Sequence, residues 1–183
     1  MLDLGNLGGD ASPHPILQAR ADGMVVGLDI DLPKALRRRY PRQVVGAAVV
    51  LPFRGATFDT VYAGELLEHV WEPYACLLEM RRVLKPGGRL ILDTPNPFAL
   101  ERVIRWLILG QSSLGDGDHK FFFFPDMLER LLASTGFSLL EMTTDQKIPL
   151  GPLQLRPLPR WPLFARLGSH LCLVAIRPPD GST

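Results

Sequence analysis

Short apolar runs alternate along this chain with stretches whose apolar residues recur at helical spacing. The opening "MLDLGNLGGD" places Met1, Leu2 and Leu4 around Asp3 as a buried strand, then turns at Gly5, Gly8 and Gly9, where no Cβ blocks a close approach. "PHPILQARADG" predicts a short helix with proline near its start and Gly23 after its end. "MVVGLDID" predicts a second strand, "PKALRRRY" a helix opened by Pro33, "RQVVGAA" a third strand and "FDTVYAG" a fourth. "PYACLLEMRRVLKPGG" predicts a helix with Leu77, Leu78, Val83 and Leu84 on its apolar side, stopped by Pro86 and two glycines. The strand "RLILDT" follows, and "SLLEMTTD" and "SHLCLVAI" supply the last two. Strands alternating with helices predict a doubly wound α/β domain, a mostly parallel Rossmann-like sheet with helices on both faces.

Such sheets bind ligands beyond the carboxyl ends of their strands, where the strand order reverses. The glycine turn is predicted there. The second strand ends at Asp29, whose two oxygens can accept from both hydroxyls of a ribose, so the pair favours a cofactor containing a nucleoside. The plainer alternative is a tight turn, with Asp29 or Asp31 capping the next helix.

Composition narrows the partners. The 183 residues, 46% hydrophobic and 21% charged, describe one globular domain with a substantial core. Lys and Arg total 20 against 19 Asp and Glu, so no net field attracts nucleic acid or an anionic membrane, and Arg37-Arg38-Arg39 reads as a solvated helix face. Cys76 and Cys172 have neither metal-ligand spacing nor a secreted-domain pattern, which predicts a reducing, cytoplasmic setting. No apolar run is long enough to span a bilayer, because Arg105 interrupts one stretch and Arg166 and His170 another. Peripheral membrane contact stays open.

The segments "LDLGNLGG", "VVGLDID", "LPFRGATFDTVYAGELLEHV", "RVLKPGGRLILDTPNP" and "DHKFFFFPDMLERLLASTGFSLLEM" resemble, in order, the motif series of class I S-adenosylmethionine-dependent methyltransferases, type 11-like, from Met1 to about Met142. The resemblance implies that Asp3, Gly5, Asn6, Gly8 and Gly9 form the cofactor turn beneath the methionine part, while Asp29 and the adjoining Ile30 meet the ribose. It also implies that one of the last two strands runs antiparallel. A dehydrogenase fits less well, since its G-x-G-x-x-G turn cradles a pyrophosphate and this turn reads G-N-L-G-G. Three departures stand out. Leu7 occupies a position where the family usually has glycine, and Ala47 one where it often has an acidic residue for adenine, a hydrogen bond of about 1 kcal/mol. The helices that relatives carry before the first strand are absent, so Met1 falls inside the first motif. This predicts either a misassigned start or a minimal or degenerate enzyme with an open cofactor face, whose exposed edge suits a homodimer.

"GELLEHV" reaches the same sheet edge. As a helical turn it would put Glu65, Glu68 and His69 at i, i+3 and i+4 on one face. Two carboxylates and an imidazole, with His119 from "GDHKFFFF", suit a divalent ion such as Mg²⁺ or Mn²⁺. The E-x-x-E-H segment with a later D-H-K-F is similar to metal-dependent 2′-O-methyltransferases acting on RNA 3′ ends, and related segments occur in ubiquinone-pathway O-methyltransferases. The resemblance thus implies an ion on the acceptor hydroxyl. "LEHV" also serves relatives without a metal, where it shapes the pocket, and His69 with Glu65 can act in catalysis without one.

"TPNPFALERVIRWLILGQSSLGDGDHKFFFF" is predicted to cross the pocket mouth. Its apolar helix packs on the sheet or on the helix near Pro125, with Phe121–Phe124 as a strand-like anchor, or else forms a lipid-facing lid. The Pro-rich residues 146–168 are predicted to be an insertion between the last two strands, with Trp161 and Phe164 at the pocket. The reading is a methyltransferase acting on oxygen of a small molecule, lipid precursor or sugar. Its rival is a methyltransferase-like binding or scaffold protein. Nucleic acid is disfavoured for want of a basic, aromatic-rich surface.

Overall fold

The computed structural model describes residues 1–5, 24–30, 42–110, 118–144, 148–150, 153–155 and 167–181. Seven strands form one sheet: β1 (Leu2–Leu4), β2 (Val26–Asp29), β3 (Gln43–Val45), β4 (Phe58–Gly64), β5 (Leu84–Pro95), β6 (Ser138–Thr144) and β9 (His170–Ile176). A separate hairpin pairs β7 (Ile148–Leu150) with β8 (Leu153–Leu155). The sheet order is β3-β2-β1-β4-β5-β9-β6. β1 pairs in parallel with both β2 and β4, so the chain leaves β1 in one direction and resumes on its other side, and the order reverses between β1 and β4. β9 enters antiparallel between β5 and β6. This is the doubly wound, mostly parallel sheet with one antiparallel C-terminal strand that the pattern predicts.

Alternation along the strands sets the two faces of the sheet. Leu2, Leu4, Val61, Ala63, Leu90, Leu92, Leu171 and Leu173 build the core with α1 (Pro73–Val83) and α3 (Pro125–Ser134), which contribute Cys76, Leu77, Met80, Leu128 and Leu132. The in-register residues of the opposite face include Asp3, Tyr62, Asp93 and Cys172. Burial beside Asp93 and Asp3 pushes the Tyr62 phenol pKa upward. The helices predicted over 13–23 and 33–40, together with Asn6, Leu7, Gly8, Gly9, Trp161 and Phe164, lie outside the described residues. β7 runs beside α2 (Leu100–Leu109).

Three local expectations are corrected. The helix α1 ends at Val83, because Leu84 is already extended and pairs with Phe58; β5 therefore starts five residues before Arg89. Gly88 permits this path, since a Cβ there would stand 2.8 Å from the Lys85 carbonyl oxygen. Phe121–Phe124 form no strand but an extended lead into α3, pinned by the fully buried Phe123. Finally, "GELLEHV" forms a 3₁₀ turn over Leu67–His69 that excludes Glu65. Glu65 instead has φ 46°, in the left-handed region.

Candidate functional site

The carboxyl ends of β1, β2, β4 and β5 converge at the reversal point. Gly5 closes β1 with φ 67° and donates its N–H to the Leu28 carbonyl at 2.9 Å. A Cβ on Gly5 would lie 3.2 Å from Leu66 Cδ1, so the first residue of the predicted cofactor turn packs directly on the segment that carries the predicted chemistry. Asp3 is fully buried one residue behind Leu4. Asp29 ends β2, half-buried and level with this turn, and Ile30 just beyond is exposed. Ala47 sits two residues past β3, within the loop where Val50 N–H bonds the Ala47 carbonyl.

On the β4 side, the 3₁₀ turn tucks Glu68 completely out of solvent. Thr94 Oγ1 donates to Glu68 Oε2 at 3.1 Å, whereas Oε1 is buried with no hydrogen-bond partner among the described residues. Burial pushes the Glu68 carboxyl up to about 7, helped by the negative charges of Glu65 and Asp93 and opposed by its hydrogen bonds. The Glu68 carbonyl accepts from the N–H of Lys120 at 2.7 Å, which draws the "DHKF" segment over the turn. His119 thereby stacks edge-on against His69, with ring centroids 4.6 Å apart. Glu68, His69 and His119 each offer one ligand atom within 4.8 Å of the others.

Glu65 turns elsewhere. Its Oε1 lies 2.5 Å from Nε2 of His170, the first residue of β9. The hydrogen bond from His170 is the main reason its carboxyl is held below the usual range, and the charges of His170, His119 and His69 add to it. Of the four predicted ligands, three gather and Glu65 pairs with a residue that pattern reading missed. His69 Nδ1 also lies 3.3 Å from the exposed Asp118 Oδ2, a partner visible beforehand only as the first letter of D-H-K-F. Thr94 carried no sequence signal.

Aromatic side chains gather beside His119, whose ring lies 6.3 Å from that of Phe122. Phe98 packs against Phe124 with centroids 5.4 Å apart, and the Arg102 guanidinium lies 5.1 Å above the Phe122 ring, fixing the first turns of α2. Farther along, Ile104, Trp106, Leu107 and Ile108 are exposed.

The family described as methyltransferase domain matches residues 2–92. The ubiquinone biosynthesis O-methyltransferase of Cereibacter sphaeroides is 34% identical over 139 residues, covering 71% of this chain and 50% of that protein. Its counterpart in Dinoroseobacter shibae is 31% identical over 182 residues, covering 94% of this chain and 64% of that protein. The chain thus spans about half to two thirds of the length of these relatives. Among solved structures, a methyltransferase dependent on S-adenosylmethionine from Thermotoga maritima superposes with TM-score 0.69 at 20% identity, covering 96% of this chain and 80% of that one. Another from Archaeoglobus fulgidus gives TM-score 0.69 at 17% identity, over 96% and 84% of the two chains. With the strand order reversing between β1 and β4, and with Gly5 and Asp29 at the carboxyl ends of β1 and β2, the chain belongs to the class I S-adenosylmethionine-dependent methyltransferases.

Proposed function

We propose that residues 1–183 act as one domain, with 146–168 as an insertion, that transfers a methyl group from S-adenosylmethionine to an oxygen of a small, lipid-like acceptor. The observation that carries this reading is the contact of Gly5 with Leu66, which joins a cofactor-binding edge to a cluster of acids and imidazoles. The residues fit the cofactor: Gly5 leaves the end of β1 without a side chain, and the Asp29 carboxylate ends the neighbouring strand. Bound there, the cofactor supplies an electrophilic sulfonium methyl.

The orphaned Glu68 Oε1 and the two convergent imidazoles also fit a divalent ion. Such an ion would lower the pKa of a hydroxyl held against it. The chain's own contribution is to hold the acceptor oxygen in line with the methyl and to take up its proton, at His69 if no ion is present. Asp118 orients the His69 ring for that purpose. The exposed apolar end of α2 supports entry of the acceptor from a membrane surface. Cys76 and Cys172 form no disulfide, which supports a reducing, cytoplasmic setting. Among the described residues β6 ends the sheet, and a terminal strand of this kind supports pairing with a second copy.

Calorimetric titration with S-adenosylmethionine and S-adenosylhomocysteine, with and without Mn²⁺, tests the reading. Saturable binding that Asp29→Ala abolishes is expected. Absence of binding in every condition would favour a methyltransferase-fold binding protein instead.

A further inference from the structure

The His170–Glu65 pair is held from both sides. His170 is in register with Pro95, and the next residue, Asn96, donates its N–H to Ser169 O at 2.9 Å and its buried Nδ2 to Gly168 O at 2.7 Å. Glu65 donates its N–H to Asp93 O at 2.8 Å from a backbone conformation that side-chain-bearing residues seldom adopt. Glu65 thus stands before the 3₁₀ turn, and its carboxylate meets His170 rather than joining Glu68, His69 and His119. Yet Glu65 remains close enough for the charges of His119 and His69 to act on it. One carboxylate therefore has two places to go, toward His170 or toward the cluster.

We propose that His170 is a positioning residue that withholds Glu65 from the Glu68–His69–His119 cluster and so sets which divalent ion the site accepts. The inference rests on the divalent-ion reading above. With Glu65 withheld, the cluster offers one carboxylate and two imidazoles, a set that favours a transition ion such as Mn²⁺ over Mg²⁺. With Glu65 released, a second carboxylate joins and the hard cation gains most. An incoming ion that recruits Glu65 must break the His170 contact, which weakens its binding.

Mn²⁺ binding to the full chain, read from the loss of the free-ion paramagnetic resonance signal, tests this, with Mg²⁺ added as competitor. His170→Ala is expected to tighten Mn²⁺ by about tenfold, the scale on which partners behind a ligand act, and to strengthen Mg²⁺ competition further. Glu65→Gln should cancel that gain in the double variant, and His170→Gln, which keeps a donor toward Glu65, should restore wild-type affinity. If His170→Ala does not fold, His170→Asn, too short to reach Glu65, replaces it. Equal or weaker Mn²⁺ binding in His170→Ala, with Glu68→Ala still abolishing binding, overturns the withholding role and leaves the ion site intact. No Mn²⁺ binding to wild type or any variant overturns both.

Discussion

A single buried carboxyl carries the strongest pH dependence expected here. The native Glu68 pKa, about 7, lies above the ordinary carboxyl range, so the folded state keeps a proton that the unfolded chain releases. Its stabilising contribution is complete below the ordinary range, falls as pH rises, and is gone above about 7. Glu68→Gln should therefore raise thermal stability at pH 8 by up to about 3 kcal/mol, the worth of that displacement, and change little near pH 4. Melting curves at the two pH values check this. If an ion occupies the cluster, its uptake below pH 7 should release a proton, visible as a dependence of calorimetric heat on the buffer. Gly5 gives a second prediction at this scale. Gly5→Ala places a Cβ 3.2 Å from Leu66 Cδ1 at φ 67°, so it should cost about 1–2 kcal/mol and weaken S-adenosylmethionine binding in a titration. Glu68 and His69 were legible as neighbours because they stand in one short motif, and His119 only because the D-H-K-F run suggested it; Glu65, in the same motif as Glu68, lies outside the cluster. His170 was not, since 105 residues separate it from Glu65 and only the sheet brings them together.

Among the elements, strand positions were read well where alternation and β-branched or aromatic residues coincide, as in Phe58–Gly64. The reading failed where one residue decides the path. Helical spacing continues through Leu84, but its extended backbone pairs with Phe58, and nothing local reveals that choice. A 3₁₀ turn also looks like an α-turn in sequence, although it leaves Glu65 outside. The four consecutive phenylalanines look like a strand because aromatic residues favour one, yet they form none and each finds its own partner: Trp71 meets Phe121, Arg102 covers Phe122, the core takes Phe123, and Phe98 meets Phe124. Asn96 is the joint between β5 and β9. Asn96→Ala should destabilise the protein by about 1–3 kcal/mol, since it strands a buried carbonyl, and should loosen the start of β9. Urea unfolding measures the first effect, and faster hydrogen exchange at residues 169–171 the second.

For the whole molecule, charge balance says little about partners, whereas the apolar end of α2 says more. Ile104, Trp106, Leu107 and Ile108 are all exposed in the C-terminal half of α2. Leu107→Asp is expected to reduce co-sedimentation with phosphatidylglycerol vesicles severalfold while leaving the melting temperature nearly unchanged, because the side chain is already in solvent. Equal co-sedimentation would remove membrane entry from the proposal.

The position of β9 has a further consequence, for the order in which the protein can be made. Synthesis delivers β5 and β6 before the strand that lies between them, so a nascent chain reaching only to about residue 165 has two bare hydrogen-bonding edges facing an empty slot. The sheet closes only when its last strand slides in, and the same event brings His170 to Glu65. Completion of the sheet and formation of the His170–Glu65 pair are therefore one step, and a chain stalled before it invites a stray strand from a neighbour.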